Sequence, residues 1–97
     1  MITLITALDK LRNNFNSLQI EFAISKMTVF GSVARNENSL SSDIDILVSF
    51  QKTPSIFLLE KLKKNIYNLL QVRVDLIVDD ELEPTFCNRI LKEGVAV

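Results

Sequence analysis

Residues 43–50 read Asp-Ile-Asp-Ile-Leu-Val-Ser-Phe. The strict alternation of acid and isoleucine at its start has the two-residue period of a β-strand, not the 3.6-residue period of a helix. Asp43 and Asp45 therefore share one face of the strand, and Ile44 and Ile46 point the other way, towards a core. Two carboxylates side by side repel each other and lose solvation unless a cation sits between them. A chain that keeps this pair needs a sheet with one packed face and one chemically active face.

The rest of the chain supplies the other parts of such a sheet. Ile5, Leu8, Leu11, Phe15 and Leu18 recur at three- and four-residue steps, which predicts an amphipathic helix over 2–18. Met27-Thr28-Val29-Phe30 is a short apolar strand ending at Gly31-Ser32. A single helical turn at Val33-Ala34-Arg35 and a polar loop over 36–42 follow. Thr53 and Pro54 give the cap and first-turn signals of a helix carried on by Leu58, Leu59, Leu62, Ile66, Leu69 and Leu70. Residues 72–78 form a third strand. The acidic run Asp79–Glu83 suits the start of a helix near 84–93 through the helix dipole. Gly94 caps that helix, and 95–97 can add a last strand. The order αβ(α)βαβα(β) predicts an α/β (α+β) fold: a small mixed sheet of three or four strands flanked by helices, in a single domain over 1–97.

Composition narrows the chemistry. The 97 residues contain no His and one Cys, so imidazole catalysis, His-based metal sites and internal disulfides are excluded. A formal net charge of −1 gives no basic excess for tight nucleic-acid binding. The N-terminus lacks a signal-peptide pattern and no apolar run reaches membrane-spanning length, which predicts a cytoplasmic chain with no membrane contact. Reactions must run on carboxylates, hydroxyls, Lys, Arg or backbone amides.

Three features then converge. Oxygen-only ligands such as Asp43 and Asp45 suit Mg²⁺ or Mn²⁺, and such a pair can bridge two ions, as in phosphoryl and nucleotidyl transfer. In the third strand Val72, Val74, Leu76 and Val78 make an apolar face, which leaves Asp75 anomalous beside Arg73 and Ile77. If that strand lies beside 43–50, Asp75 joins the pair as a third ligand, and it can take a proton from an attacking hydroxyl. Gly31-Ser32, ending a strand, lets the backbone approach a ligand, while the Ser32 hydroxyl and free amides can hold the β- and γ-phosphates of a triphosphate, with Arg35 adding charge.

Val29-Phe30-Gly31-Ser32-Val33-Ala34-Arg35 followed by Ser42-Asp43-Ile44-Asp45-Ile46-Leu47-Val48, with Val74-Asp75-Leu76-Ile77-Val78 downstream, resembles the signature of the DNA polymerase β-like nucleotidyltransferases, most closely the minimal nucleotidyltransferase (MNT) branch. The resemblance implies the polymerase β-like palm fold, ATP as substrate and two Mg²⁺ ions on Asp43, Asp45 and Asp75. It also implies an antitoxin that transfers AMP to a tyrosine hydroxyl of a HEPN-domain toxin. The sequence departs from the family at Asn36, where Gly is usual; Asn tolerates a left-handed backbone. The chain leaves no residues for an acceptor-recognition domain, so a partner or a second copy of the chain (a homodimer) would supply that function. Two other readings fit the same motif: an antitoxin that masks a HEPN partner without catalysis, and a nucleotidyltransferase acting on a small molecule or an RNA end.

Several side chains are expected to be structural. Arg73 should pair with Asp75, Lys61, Lys63 and Lys64 should form a solvated helix face, Cys87 should be a small core residue, and Tyr67 should touch the sheet from its helix. An EF-hand reading of the aspartates fails for want of Gly and Glu at the required loop positions.

Overall fold

The computed structural model describes residues 1–97. Helix α1 (Leu4–Phe22) leads into strand β1 (Ile24–Phe30), the short helix α2 (Gly31–Ala34), β2 (Ile44–Phe50), α3 (Ile56–Leu70) and β3 (Val74–Val78). A 3₁₀ turn at Asp79–Glu81, helix α4 (Pro84–Glu93) and the short strand β4 (Val95–Ala96) complete the chain. The strands form one mixed sheet in the order β3-β2-β1-β4. β1 pairs antiparallel with β2 and β4, and β2 pairs parallel with β3. This is the α/β fold that the element order predicts.

The isoleucines of β2 do what the alternation demands. Ile44, Ile46 and Val48 are fully buried and pack with Leu11, Phe22, Leu62 and Ile66 from α1 and α3. Helices α1 and α3 therefore cover one face of the sheet. On the opposite face Leu47 and its β1 partner Thr28 are buried, as is Ile90 of α4. The acids of β2 and β3 lie on that second face, at its end. Arg12 donates to the Ala96 carbonyl at 2.8 Å and the Val97 amide to Met27 at 3.0 Å, which ties the C-terminus to the sheet.

Several boundaries differ from the sequence reading. α1 runs four residues past Leu18 and stops at Ala23, whose φ of 56° is left-handed without a glycine to signal it. α3 starts later than Thr53-Pro54 suggests: Ser55 is the cap, its hydroxyl accepting from the Leu58 amide at 3.1 Å. Ser55→Ala is expected to cost about 1 kcal/mol, a fall in Tm of roughly 4–8 °C in thermal unfolding. The acids before α4 do not cap it; Glu83 at the cap position makes no side-chain bond, and Asp79 instead accepts from the Ser49 hydroxyl at 2.7 Å. Gly94 does end α4, but with φ −85° rather than left-handed. A Cβ there would lie 2.6 Å from Thr28 Cγ2 and 2.9 Å from the Val29 carbonyl oxygen, so close packing on β1 is what requires glycine.

Candidate functional site

The sheet topology gathers the three features at one edge. Because β1 runs opposite to β2 and β3, its C-terminal end meets their N-terminal ends. Phe30, Asp45 and Asp75 form one row across the strands, Phe30 opposite Asp45 and Asp45 opposite Asp75. Asp43 lies just outside β2, level with Arg73 by the same register.

Gly31 follows Phe30 and begins α2. Its φ of +74° is in the region that only glycine adopts without strain. The lack of a side chain has a second use: a Cβ on Gly31 would overlap Asp45 Oδ2 and lie 3.0 Å from Asp45 Cγ. The Gly-Ser turn and the aspartate pair, ten residues apart in sequence, are thus in direct contact. Backbone N–H groups of the first turn of α2 have no partner within the helix. Behind them the turn is closed by the Glu37 amide bonding the Ser32 carbonyl at 2.9 Å. Asn36 takes φ 57°, the left-handed conformation expected of a residue standing in for Gly.

Electrostatics at the row are unfavourable for charge. The Asp45 carboxyl is pushed above the usual aspartate range, first by burial, then by the charges of Asp75 and Asp43, with Arg35 pulling the other way. A raised carboxyl favours the folded state only while it keeps its proton. That contribution is fully present below the ordinary aspartate range and is lost as pH rises through Asp45's raised value. Asp45→Asn, a neutral isostere, is therefore expected to raise the Tm of the metal-free protein at neutral pH. Since the carboxylate is partly open to solvent, the gain should be on the order of half a kcal/mol, about 2–4 °C. Thermal unfolding in chelator should show that gain at pH 7 and a smaller one near pH 4; a less stable variant at pH 7 would contradict the electrostatic account.

The donor set suits a hard divalent cation: carboxylate oxygens only, with the half-buried Asp45 set against two like charges. The three carboxylates do not converge on one point, however, and no group of three acidic, Cys or His side chains closes into a metal cage. Asp45 and Asp75 are brought together, whereas Asp43 is turned to Arg73, whose Nε lies 3.1 Å from Asp43 Oδ1. This corrects the expected Arg73–Asp75 pair. Side chains two apart on one strand share a face but sit roughly 7 Å apart along it, while Asp43 is the cross-strand neighbour of Arg73. Arg73 also donates to the Ser41 carbonyl at 3.3 Å, which holds the loop before β2 against β3.

Arg35 leaves α2 beside the row and pairs with Glu37 at 3.0 Å, both side chains being exposed. Ser32 is half-buried at the start of α2. Cys87 is half-buried and not in the core. Tyr67, on α3, is 44% exposed and lines a cavity together with Val74 of β3. That cavity, which also holds Glu60, Lys63 and Lys64, was not predicted. The recurrence of residues 60, 63, 64 and 67 at helical spacing was the signal that these side chains share a face. No helix is long and apolar enough to cross a membrane.

Comparison with known proteins adds to this geometry. The family model described as a nucleotidyltransferase domain matches residues 8–97. The protein adenylyltransferase MntA of Thermococcus cleftensis is 36% identical over 80 residues, which cover 82% of this chain and 81% of the relative. A solved structure described as a candidate minimal nucleotidyltransferase superposes with a TM-score of 0.83 at 33% identity, over 99% of this chain and 97% of that one. A chain of a complex between a tri-AMPylated HEPN toxin and an MNT antitoxin, from Shewanella oneidensis, shares the fold with a TM-score of 0.65 at 20% identity, over 94% of this chain and 70% of that one.

Proposed function

The chain belongs to the nucleotidyltransferase domain family and is a nucleotidyltransferase, and from that premise we propose a specific reaction for it. It transfers AMP from ATP to a tyrosine hydroxyl of a HEPN-domain toxin in the cytoplasm, silencing the toxin and acting as its antitoxin. One observation carries this reading: Asp45 stands in register with Asp75, and its carboxylate lies against Gly31. A carboxylate row touching a strand-to-helix glycine turn puts ligands for a divalent cation next to amides suited to phosphate. The 36% identity to a protein adenylyltransferase supports a protein acceptor.

Asp45 and Asp75 would hold Mg²⁺, as one or two ions, with Asp43 joining them once it turns from Arg73. When bound, the metal neutralises charge on the phosphate oxygens. Gly31, Ser32 and the first-turn amides of α2 hold the β- and γ-phosphates, and Arg35 swings from Glu37 to the same phosphates. The tyrosine oxygen then bonds to the α-phosphorus, the bond from that phosphorus to the bridging oxygen breaks, and pyrophosphate leaves. Asp75, on the strand farthest from the Gly-Ser turn, takes the phenolic proton and passes it to solvent.

Purified chain mixed with ATP, Mg²⁺ and the protein encoded beside it tests the reading. Intact-mass measurement should show that protein gaining whole AMP units, with the modified residue a tyrosine. An unmodified protein neutralised just as well would favour simple masking.

A further inference from the structure

The cavity at the N-terminal ends of β2 and β3 adjoins the proposed site and shares Asp43 with it. It has a volume of about 330 Å³ and is lined by Asp43, Glu60, Lys63, Lys64, Tyr67, Arg73 and Val74. Lys63 and Lys64 have no carboxylate within ion-pairing distance; the ion pairs of the chain are Arg35–Glu37 and Arg73–Asp43. The Arg73–Asp43 pair lines the cavity where it meets the site. Tyr67 and Val74 give the cavity an apolar side.

Its position relative to the reaction is informative. In the sheet order β3-β2-β1-β4, Gly31 follows β1 on one side of β2, and the cavity opens by β3 on the other. In phosphoryl transfer the attacking and leaving oxygens lie roughly in line through the phosphorus. If the leaving phosphates sit at Gly31-Ser32, the acceptor hydroxyl arrives from the β3 side; this cavity lies at that edge between α3 and the start of β3, and Asp43 and Arg73 link it to the face that carries the acids.

We propose that the Lys63–Lys64–Arg73 cavity is the acceptor-docking site, and that it takes a short acidic segment of the acceptor protein next to the hydroxyl that is modified. This rests on the reading of the site given above. Two unpaired lysines beside a tyrosine ring suit carboxylate side chains on an otherwise apolar backbone. A nucleic-acid acceptor fits less well. Only three cations line the cavity, beside the acids Asp43 and Glu60, and the chain as a whole carries 12 acidic against 11 basic residues, so it has no basic excess to hold a phosphate backbone.

The test uses the full chain and a fluorescent tyrosine peptide flanked by glutamates, compared with the same peptide flanked by glutamines. Fluorescence anisotropy at low salt should show the glutamate peptide binding about tenfold tighter, as two exposed charge pairs allow. The pair Lys63→Glu and Lys64→Glu should erase that preference, and Lys63→Arg with Lys64→Arg should keep it. Both lysines are exposed, so Tm and binding of a non-hydrolysable ATP analogue should not change. No preference for glutamate in a protein that still binds the ATP analogue would overturn the proposal. So would an RNA oligomer of equal charge displacing the peptide more strongly than excess peptide does. A glutamate preference that persists when no AMP is transferred to any protein would instead sink the adenylyltransferase reading and leave the cavity's specificity standing.

Discussion

Replacing Asp43 and Asp45 together by alanine is expected to lower AMP transfer by roughly 10³-fold or more while leaving the chain folded. Both side chains project from the β2 edge away from the core, and the core side of the strand, Ile44, Ile46 and Val48, is untouched. Removing Asp45 also relieves the charge crowding that raises its carboxyl, which offsets the loss of the exposed Asp43–Arg73 pair (at most about 1 kcal/mol), so the loss of activity should come with little net change in stability. Activity and Tm therefore separate in this variant. A double variant that is inactive only because it has melted would say nothing about the metal ligands, and the thermal scan detects that case. Transfer within a few-fold of wild type by a folded double variant would remove these aspartates from the chemistry.

Gly31→Ala carries the second large effect, and here stability and activity fall together. An L-residue at φ +74° pays roughly 1–2 kcal/mol in backbone strain, which is about 4–16 °C in Tm for a domain of this size. The added methyl also overlaps the Asp45 carboxylate, so Asp45 must move. A displacement of about 1 Å in a group that positions a reacting phosphate can cost about 10²-fold in rate. The two contributions can be divided. In an Asp45→Ala background the carboxylate is gone and the nearest remaining atom is the residue's Cβ at 3.3 Å, a tight contact that a shift of a few tenths of an ångström relieves. The stability cost of Gly31→Ala should then shrink towards the backbone strain, and the difference between the two backgrounds measures the overlap with the carboxylate. Equal costs in both backgrounds would mean that the turn and the aspartate do not press on each other.

What could be read from the sequence follows from what is local. The alternation in 43–50 reports which residues of β2 face the core, because side-chain direction on a strand depends only on parity. The Gly-Ser turn is legible for a similar reason: a strand ending in Gly-Ser has few conformations that lead into a helix. Asn36 stands where the resembled family usually has Gly, Asn tolerates the left-handed region, and Asn36 does adopt it. Partners across the sheet are a different matter. Arg73 finds Asp43 because β3 lies parallel to β2 with Ile44 opposite Val74, a register that no local pattern encodes. Asp79 turns to Ser49 for the same kind of reason, leaving α4 uncapped by the acids that precede it. The end of α1 was missed because alanine, not glycine, takes the left-handed position there. The cavity beside Asp43 depends on α3 packing near the start of β3, and only the helical spacing of its lysines and Tyr67 hinted at it.

The central claim is that this chain moves AMP rather than only binding a partner. The most direct measurement supplies the chain and the protein encoded beside it with Mg²⁺ and ATP labelled at either the α- or the γ-phosphate. Label from the α-phosphate should appear on a tyrosine of the partner, with one pyrophosphate released per AMP attached, and label from the γ-phosphate should stay off the protein. Partner neutralised with no α-label attached, or label attached equally well by the Asp43→Ala, Asp45→Ala variant, would contradict it.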